Sequence, residues 1–126
     1  CLSVRYDRRM AIALIVVASL LGLAAFGSAI AKLTKKADVM ASMAHVGVPT
    51  GRIPLLASLE LLGALGLAVG IWFRPVGLAA AIGLLLYFAG AVGAHTKVKD
   101  SVKEYGPAFV LFLVACVTVY LEYKRF

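Results

Sequence analysis

Charge is scarce in this 126-residue chain, and acid is the scarcer sign: Asp, Glu, Lys and Arg make up 15% of it, with 6 acidic residues to 13 basic ones. An ordinary soluble domain carries about 25% charged residues, so a soluble enzyme is excluded. Cysteine is nearly absent too. Cys1 and Cys116 form no Cys-x-x-Cys pair, which rules out dithiol exchange, and Cys116, inside an apolar run, reads as an inert buried thiol. The 2 histidines, His45 and His95, stand in separate segments with no cysteine cluster near them. They fall short of a first metal shell, and no metal is expected. The net charge of +7 is broken into short clusters between apolar runs. Bilayer topology and anionic headgroups account for that pattern, and no nucleic-acid partner is expected.

What the chain has in abundance is hydrocarbon. Apolar residues are 63% of the sequence and the mean hydropathy is +0.98. One bilayer-crossing helix consumes ~20 mostly apolar residues, so four spans fit. Four runs supply them, at residues 10–31, 53–73, 76–94 and 107–123. The expected fold is an all-α, integral membrane four-helix bundle running up-down-up-down, a single domain over residues 1–126 with a short interfacial helix between the first and second spans.

The connections carry the geometry. Arg74 and Pro75 join the second and third runs almost without a loop, and Pro75 lacks the N–H that a continuing helix needs, so these spans form a tight antiparallel hairpin. Between the first and second runs, Val39, Met43 and Val46 recur at helical spacing against Lys35, Lys36, Asp38, Ser42 and His45, the pattern of a helix lying on the membrane surface. Gly47, Pro49, Gly51 and Pro54 end it. Ser101 and Glu104 have capping-box spacing ahead of Pro107, which is expected to open the last span. Tyr105, Tyr120 and Tyr123 mark headgroup level, and Trp72 and Phe73 read as interfacial anchors. Lys and Arg are balanced between the two faces, so orientation stays open; with Met10 as the initiator the balance favours cytoplasmic loops. No cleavable leader is expected, because the first run is too long for one.

Three ionisable side chains fall at or near membrane depth: Glu60 in the second span, Lys32 ending the first and His95 ending the third. Glu60 lies seven residues into its span, roughly 10 Å deep at 1.5 Å per residue, where a carboxylate costs about 2–3 kcal/mol or more. It must be neutral, paired or wet. The hairpin topology brings all three residues to one face, so a Lys32–Glu60 ion pair is expected, with His95 or Thr96 hydrogen-bonding nearby and Arg52 and Lys97 at the rim. Such groups can hold the bundle together, line a polar pocket for a quinone, lipid headgroup or small metabolite, or relay protons. The residues alone do not choose among these. Glycines supply the close contacts: Gly63, Gly66 and Gly70 on the second span, Gly22 and Gly27 with Ser28 on the first, and Gly83, Gly90 and Gly93 on the third.

The segments Phe26-Gly27-Ser28-Ala29-Ile30-Ala31-Lys32-Leu33, Gly47-Val48-Pro49, Leu59-Glu60-Leu61-Leu62-Gly63-Ala64-Leu65-Gly66-Leu67 and Gly90-Ala91 with His95 together resemble the DoxX-like family of small four-helix bacterial membrane proteins. The resemblance runs from Met10 to Arg125. It implies accessory work: the namesake is a small subunit of a thiosulfate:quinone oxidoreductase, other members accompany membrane oxidoreductase complexes, and distant eukaryotic relatives assist receptor assembly. It also implies that Lys32, Glu60 and His95 are the family's polar positions, with no catalytic assignment attached. The expected function is an accessory subunit of a larger complex in the bacterial plasma membrane, with no chemistry and no intrinsic cofactor of its own. Its partners would be membrane lipids and other integral membrane subunits or further copies of itself. The alternatives are a redox component that binds a quinone or small lipid and, behind it, a small-solute permease.

Overall fold

A computed structural model of the chain describes residues 7–35, 37–45, 47, 49–97 and 102–125. Every regular element among them is helical: α1 (Arg8–Leu33), α2 (Ala37–His45), a single 3-10 turn (Thr50–Arg52), α3 (Ile53–Val69), α4 (Arg74–Lys97) and α5 (Val102–Lys124). The four long helices touch in a ring, α1 on α3, α3 on α4, α4 on α5 and α5 back on α1. Three segments are long and apolar enough to cross a membrane, Arg8–Leu33, Arg74–Lys97 and Gly106–Lys124, while Ile53–Val69 is equally apolar and shorter.

The residues are sorted inside out relative to a water-soluble bundle. Ala25, Ala29, Ala57, Ala81 and Ala115 are completely buried, together with the side chains of Glu60 and Thr118. Leu23, Leu62, Leu86 and Trp72 are exposed by 64% or more of their surface. A soluble protein does not leave so much hydrocarbon in water. In lipid, where apolar surface gains nothing from burial, small residues go inside because they let helices pack closely. Accordingly α1, α3 and α4 are apolar all round with almost no polar side; α2 is the asymmetric helix, as expected of a surface segment. Its Met40 and Met43 are half-buried and its Ala41, Ala44 and His45 exposed. Lys36, Val46 and Ser101 lie outside the described residues, as do the side chains of Asp38, Val39, Ser42, Glu104 and Tyr105.

Several boundaries differ from those expected. The second span ends at Val69 and not at residue 73: residues 70–73 make the hairpin turn, and Arg74 and Pro75 open α4 rather than forming the loop. Pro suits a first helical turn because the missing N–H has no acceptor there. Likewise α5 begins at Val102, with Pro107 inside it. Its fixed φ is helical, and so near the start of a helix it removes a single backbone bond.

The glycines divide sharply. A β-carbon on Gly63 would stand 2.5 Å from Leu84 Cδ2, one on Gly66 would stand 2.7 Å from Ala80 Cβ, and one on Gly70 would collide with the backbone of Gly77. These three seat α3 against α4. Gly27, Gly83, Gly90 and Gly93 have nothing within 4 Å of such an atom, so the packing role expected of Gly27 and Gly90 is not found. Both lie on outward faces of their helices. Cys116 is exposed rather than buried, on the outer side of α5.

Candidate functional site

The inner stripe of α1 repeats at steps of three, four and seven residues through Leu14, Leu21, Ala25, Ala29 and Lys32, and that of α3 through Ile53, Ala57, Glu60 and Leu67. Lys32 and Glu60 therefore occupy core positions by helical phase. Lys32 Nζ donates to Glu60 Oε1 at 2.7 Å and to Ser28 Oγ at 2.7 Å. Ser28 stands one turn back along α1, on the same face, and draws the ammonium inward instead of letting it snorkel to the interface. The side chains of Lys32 and Glu60 are 6% and 0% exposed, so the pair is shielded from water.

The neighbour from α4 is Tyr87. Its ring centroid lies 5.9 Å from Lys32 Nζ, within the reach of a cation–π attraction, and its hydroxyl faces the Glu60 carboxyl group. Glu60 Oε2, buried, has no hydrogen-bond partner among the described residues. His95, expected beside the pair, is half-buried eight residues farther along α4, or about 12 Å from the level of Tyr87 at 1.5 Å per residue. Thr96 donates its hydroxyl to Gly93 O of its own helix at 3.0 Å, in place of the expected bond to the pair. Arg52 and Lys97 are exposed at helix ends.

A second charged pair, not singled out from the sequence, lies at the opposite end of the bundle. Arg125 Nη1 donates to Glu122 Oε1 at 2.7 Å and to Gly70 O at 2.8 Å, and Nη2 donates to Ile71 O at 3.2 Å. The cation thereby caps carbonyls at the C-terminal end of α3 that have no further turn of helix to bond. Glu122, 3% exposed, sits against Gly77 in the first turn of α4, where a β-carbon would land on its carboxylate. A cation at one helix's C-terminus and an anion at the next helix's N-terminus both oppose the local dipole charge. Two sequence signals could have found this clasp: the i, i+3 spacing of Glu122 and Arg125, and Gly77 facing Gly70 across the expected hairpin.

The DoxX-like family model matches residues 16–117, a stretch containing Lys32, Glu60 and Tyr87. The chain belongs to the DoxX-like family. No protein of curated function and no solved structure matches it. The family match ends before the Glu122–Arg125 clasp, so within this DoxX-like chain the Lys32–Glu60 pair lies in the shared part and the clasp does not.

Proposed function

We propose that this DoxX-like chain is an accessory subunit of the bacterial plasma membrane, crossing the bilayer four times in an up-down-up-down sense and packing against a larger complex, plausible partners being respiratory or other oxidoreductase assemblies. One observation carries the reading: the buried carboxylates among the described residues are paired inside the bundle, Glu60 with Lys32 and Glu122 with Arg125. Most of the outer surface between the helix ends is hydrocarbon among the described residues, and such a surface serves lipids and other membrane helices. α3, with 17 residues, is at the short end of the range that crosses a bilayer. The test is purification from native membranes in mild detergent with identification of co-eluting chains. A stable set of integral membrane partners is expected, and a protein that consistently elutes alone overturns the proposal.

Glu60 Oε2 favours a second reading. A buried carboxylate oxygen that no group among the described residues approaches in good hydrogen-bond geometry, with the Tyr87 hydroxyl and the Lys32 ammonium in the neighbourhood of the same carboxylate, is suited to receive a hydrogen bond from a polar group entering from the membrane, such as a hydroxylated quinone ring or lipid. In that case Glu60→Gln abolishes quinone-dependent turnover of the assembled complex while the chain still folds. Unchanged turnover removes this second reading and leaves the first standing.

A further inference from the structure

On the lipid-facing side of α1 and α3 runs a trough of about 740 Å³. Leu14 of α1 and Leu67 of α3 are its most buried apolar lining, Ala18, Gly22 and Ala64 open space between the two helices, and Phe26 lies at the far end. Along α1 the trough runs from Ala11 to Phe26, fifteen helical steps or about 22 Å at 1.5 Å per residue, more than the ~15 Å depth of one hydrocarbon leaflet. Between its ends Ser19 is the one polar side chain among its described walls. The near end is different, for there Glu122 and Arg125 form the wall.

That end is electropositive. The Glu122 carboxylate is bonded to Arg125 and 3% exposed, whereas Arg125 is 14% exposed. The three bonds that its two terminal nitrogens make leave guanidinium donors over. Arg8 precedes Ala11 by one helical turn on the same stripe of α1 and is exposed, so a second basic residue stands at this end of the stripe, beyond the lining itself. Of the nearby acids, Glu122 is bonded to Arg125, and Asp7 accepts the Met10 amide at 3.0 Å through one oxygen. The choline cation of a zwitterionic lipid would be repelled by Arg8 and Arg125, while a phosphate that carries the headgroup's whole charge would be drawn to both.

We infer that this trough holds one acyl chain of an anionic glycerophospholipid from the surrounding bilayer, with the lipid phosphate between Arg8 and Arg125. The inference rests on the bilayer placement proposed above and is independent of the accessory role. Its shape and charge fit a lipid better than a partner helix, which would have to set an acidic side chain against Arg125 and Arg8 at the headgroup level.

The test is native mass spectrometry of the full chain, delipidated in detergent and offered phosphatidylglycerol or phosphatidylcholine with identical acyl chains. Alkaline extraction of the membranes first checks the bilayer placement; release of the chain at that step overturns both readings. With the chain retained, one phosphatidylglycerol per chain is expected to survive desolvation in preference to phosphatidylcholine. Arg8→Gln, at a side chain outside the clasp, should weaken retention roughly fivefold, the factor that one basic residue contributes near an anionic surface. Ala18→Trp, which fills the trough from α1, should remove both adducts while circular dichroism remains helical. Equal retention of the two lipids, or full retention by Ala18→Trp, overturns the inference. So does release by Ala18→Trp of a co-purified membrane protein with the lipid adducts unchanged, which would make the trough a helix dock.

Discussion

At the Lys32 end of the bundle the charged pair joins two helices through their side chains, twenty-eight residues apart in sequence, with Ser28 as a second hydrogen-bond acceptor of the ammonium and the Tyr87 ring nearby. At the Arg125 end the pair is made within α5, three residues apart, and its remaining contacts go to the backbone of the α3–α4 hairpin. The first arrangement ties side chain to side chain in the dry interior, where both charges depend on each other. The second uses a local pair to finish two helix ends, in a place where Arg125 retains some exposure. Removing one partner should therefore have unequal consequences at the two ends.

The largest effect is expected for Lys32→Met. It leaves Glu60 as a buried acid facing Ser28 and Tyr87, and breaking a buried pair in this way costs about 3–5 kcal/mol. The double variant Lys32→Met with Glu60→Met removes the stranded charge as well and should recover most of the loss, because a buried pair contributes little net stability over apolar side chains of similar size. Thermal unfolding in detergent micelles, followed by circular dichroism, compares the two. A double variant as unstable as the single one would mean that the polar contacts themselves hold α1 to α3.

Next in size is Gly77→Ala, which probes the hairpin under the clasp. The added methyl meets the Glu122 carboxylate and the Gly70 backbone, and overpacking of a closed contact costs about 1–3 kcal/mol. Arg125→Gln should cost less, about 1–2 kcal/mol, since hydrogen bonds involving a charged group contribute about 1.5–3 kcal/mol and partial exposure lets water replace part of them. If Arg125→Gln proves as damaging as Lys32→Met, the contrast between the two ends fails and the clasp is as dry as the inner pair.

Much of this architecture was legible in the sequence for a simple reason. Membrane helices must satisfy their own backbone, so apolar runs separated by Gly, Pro and charge map directly onto elements, and the approximate positions of α1, α3, α4 and α5 follow. Lys32 and Glu60 were conspicuous because charge within an apolar run has few explanations. The clasp was hidden by its position: Arg125 follows Lys124 beyond the last apolar residues, where a basic pair reads as an interfacial stop, and nothing local says that its donors turn back to Gly70. Tyr87 was missed in favour of His95 because both lie on α4, and only the level at which α4 passes Glu60 distinguishes them. For the glycines, spacing alone could not tell an inner from an outer face. Gly63 and Gly66 meet α4 while Gly83 and Gly90, on the partner helix itself, meet nothing.

That last difference allows the smallest and most discriminating substitution. Gly90→Ala adds a methyl group where nothing lies within 4 Å, on an exposed face in the interior of α4, so no packing is lost. Alanine restricts the unfolded backbone and gains about 0.5–1 kcal/mol over glycine in a helix interior. The isolated chain should become slightly more stable, the opposite sign to Gly77→Ala on the same helix. In the complex proposed above the same substitution would read the outer surface directly: if a partner helix packs on the open glycine, the methyl group weakens co-purification even as it stabilises the chain. Stabilisation with undiminished co-purification would place the partner on another face of the bundle, whereas destabilisation of the isolated chain would mean that the outer face of α4 is already packed against this same molecule.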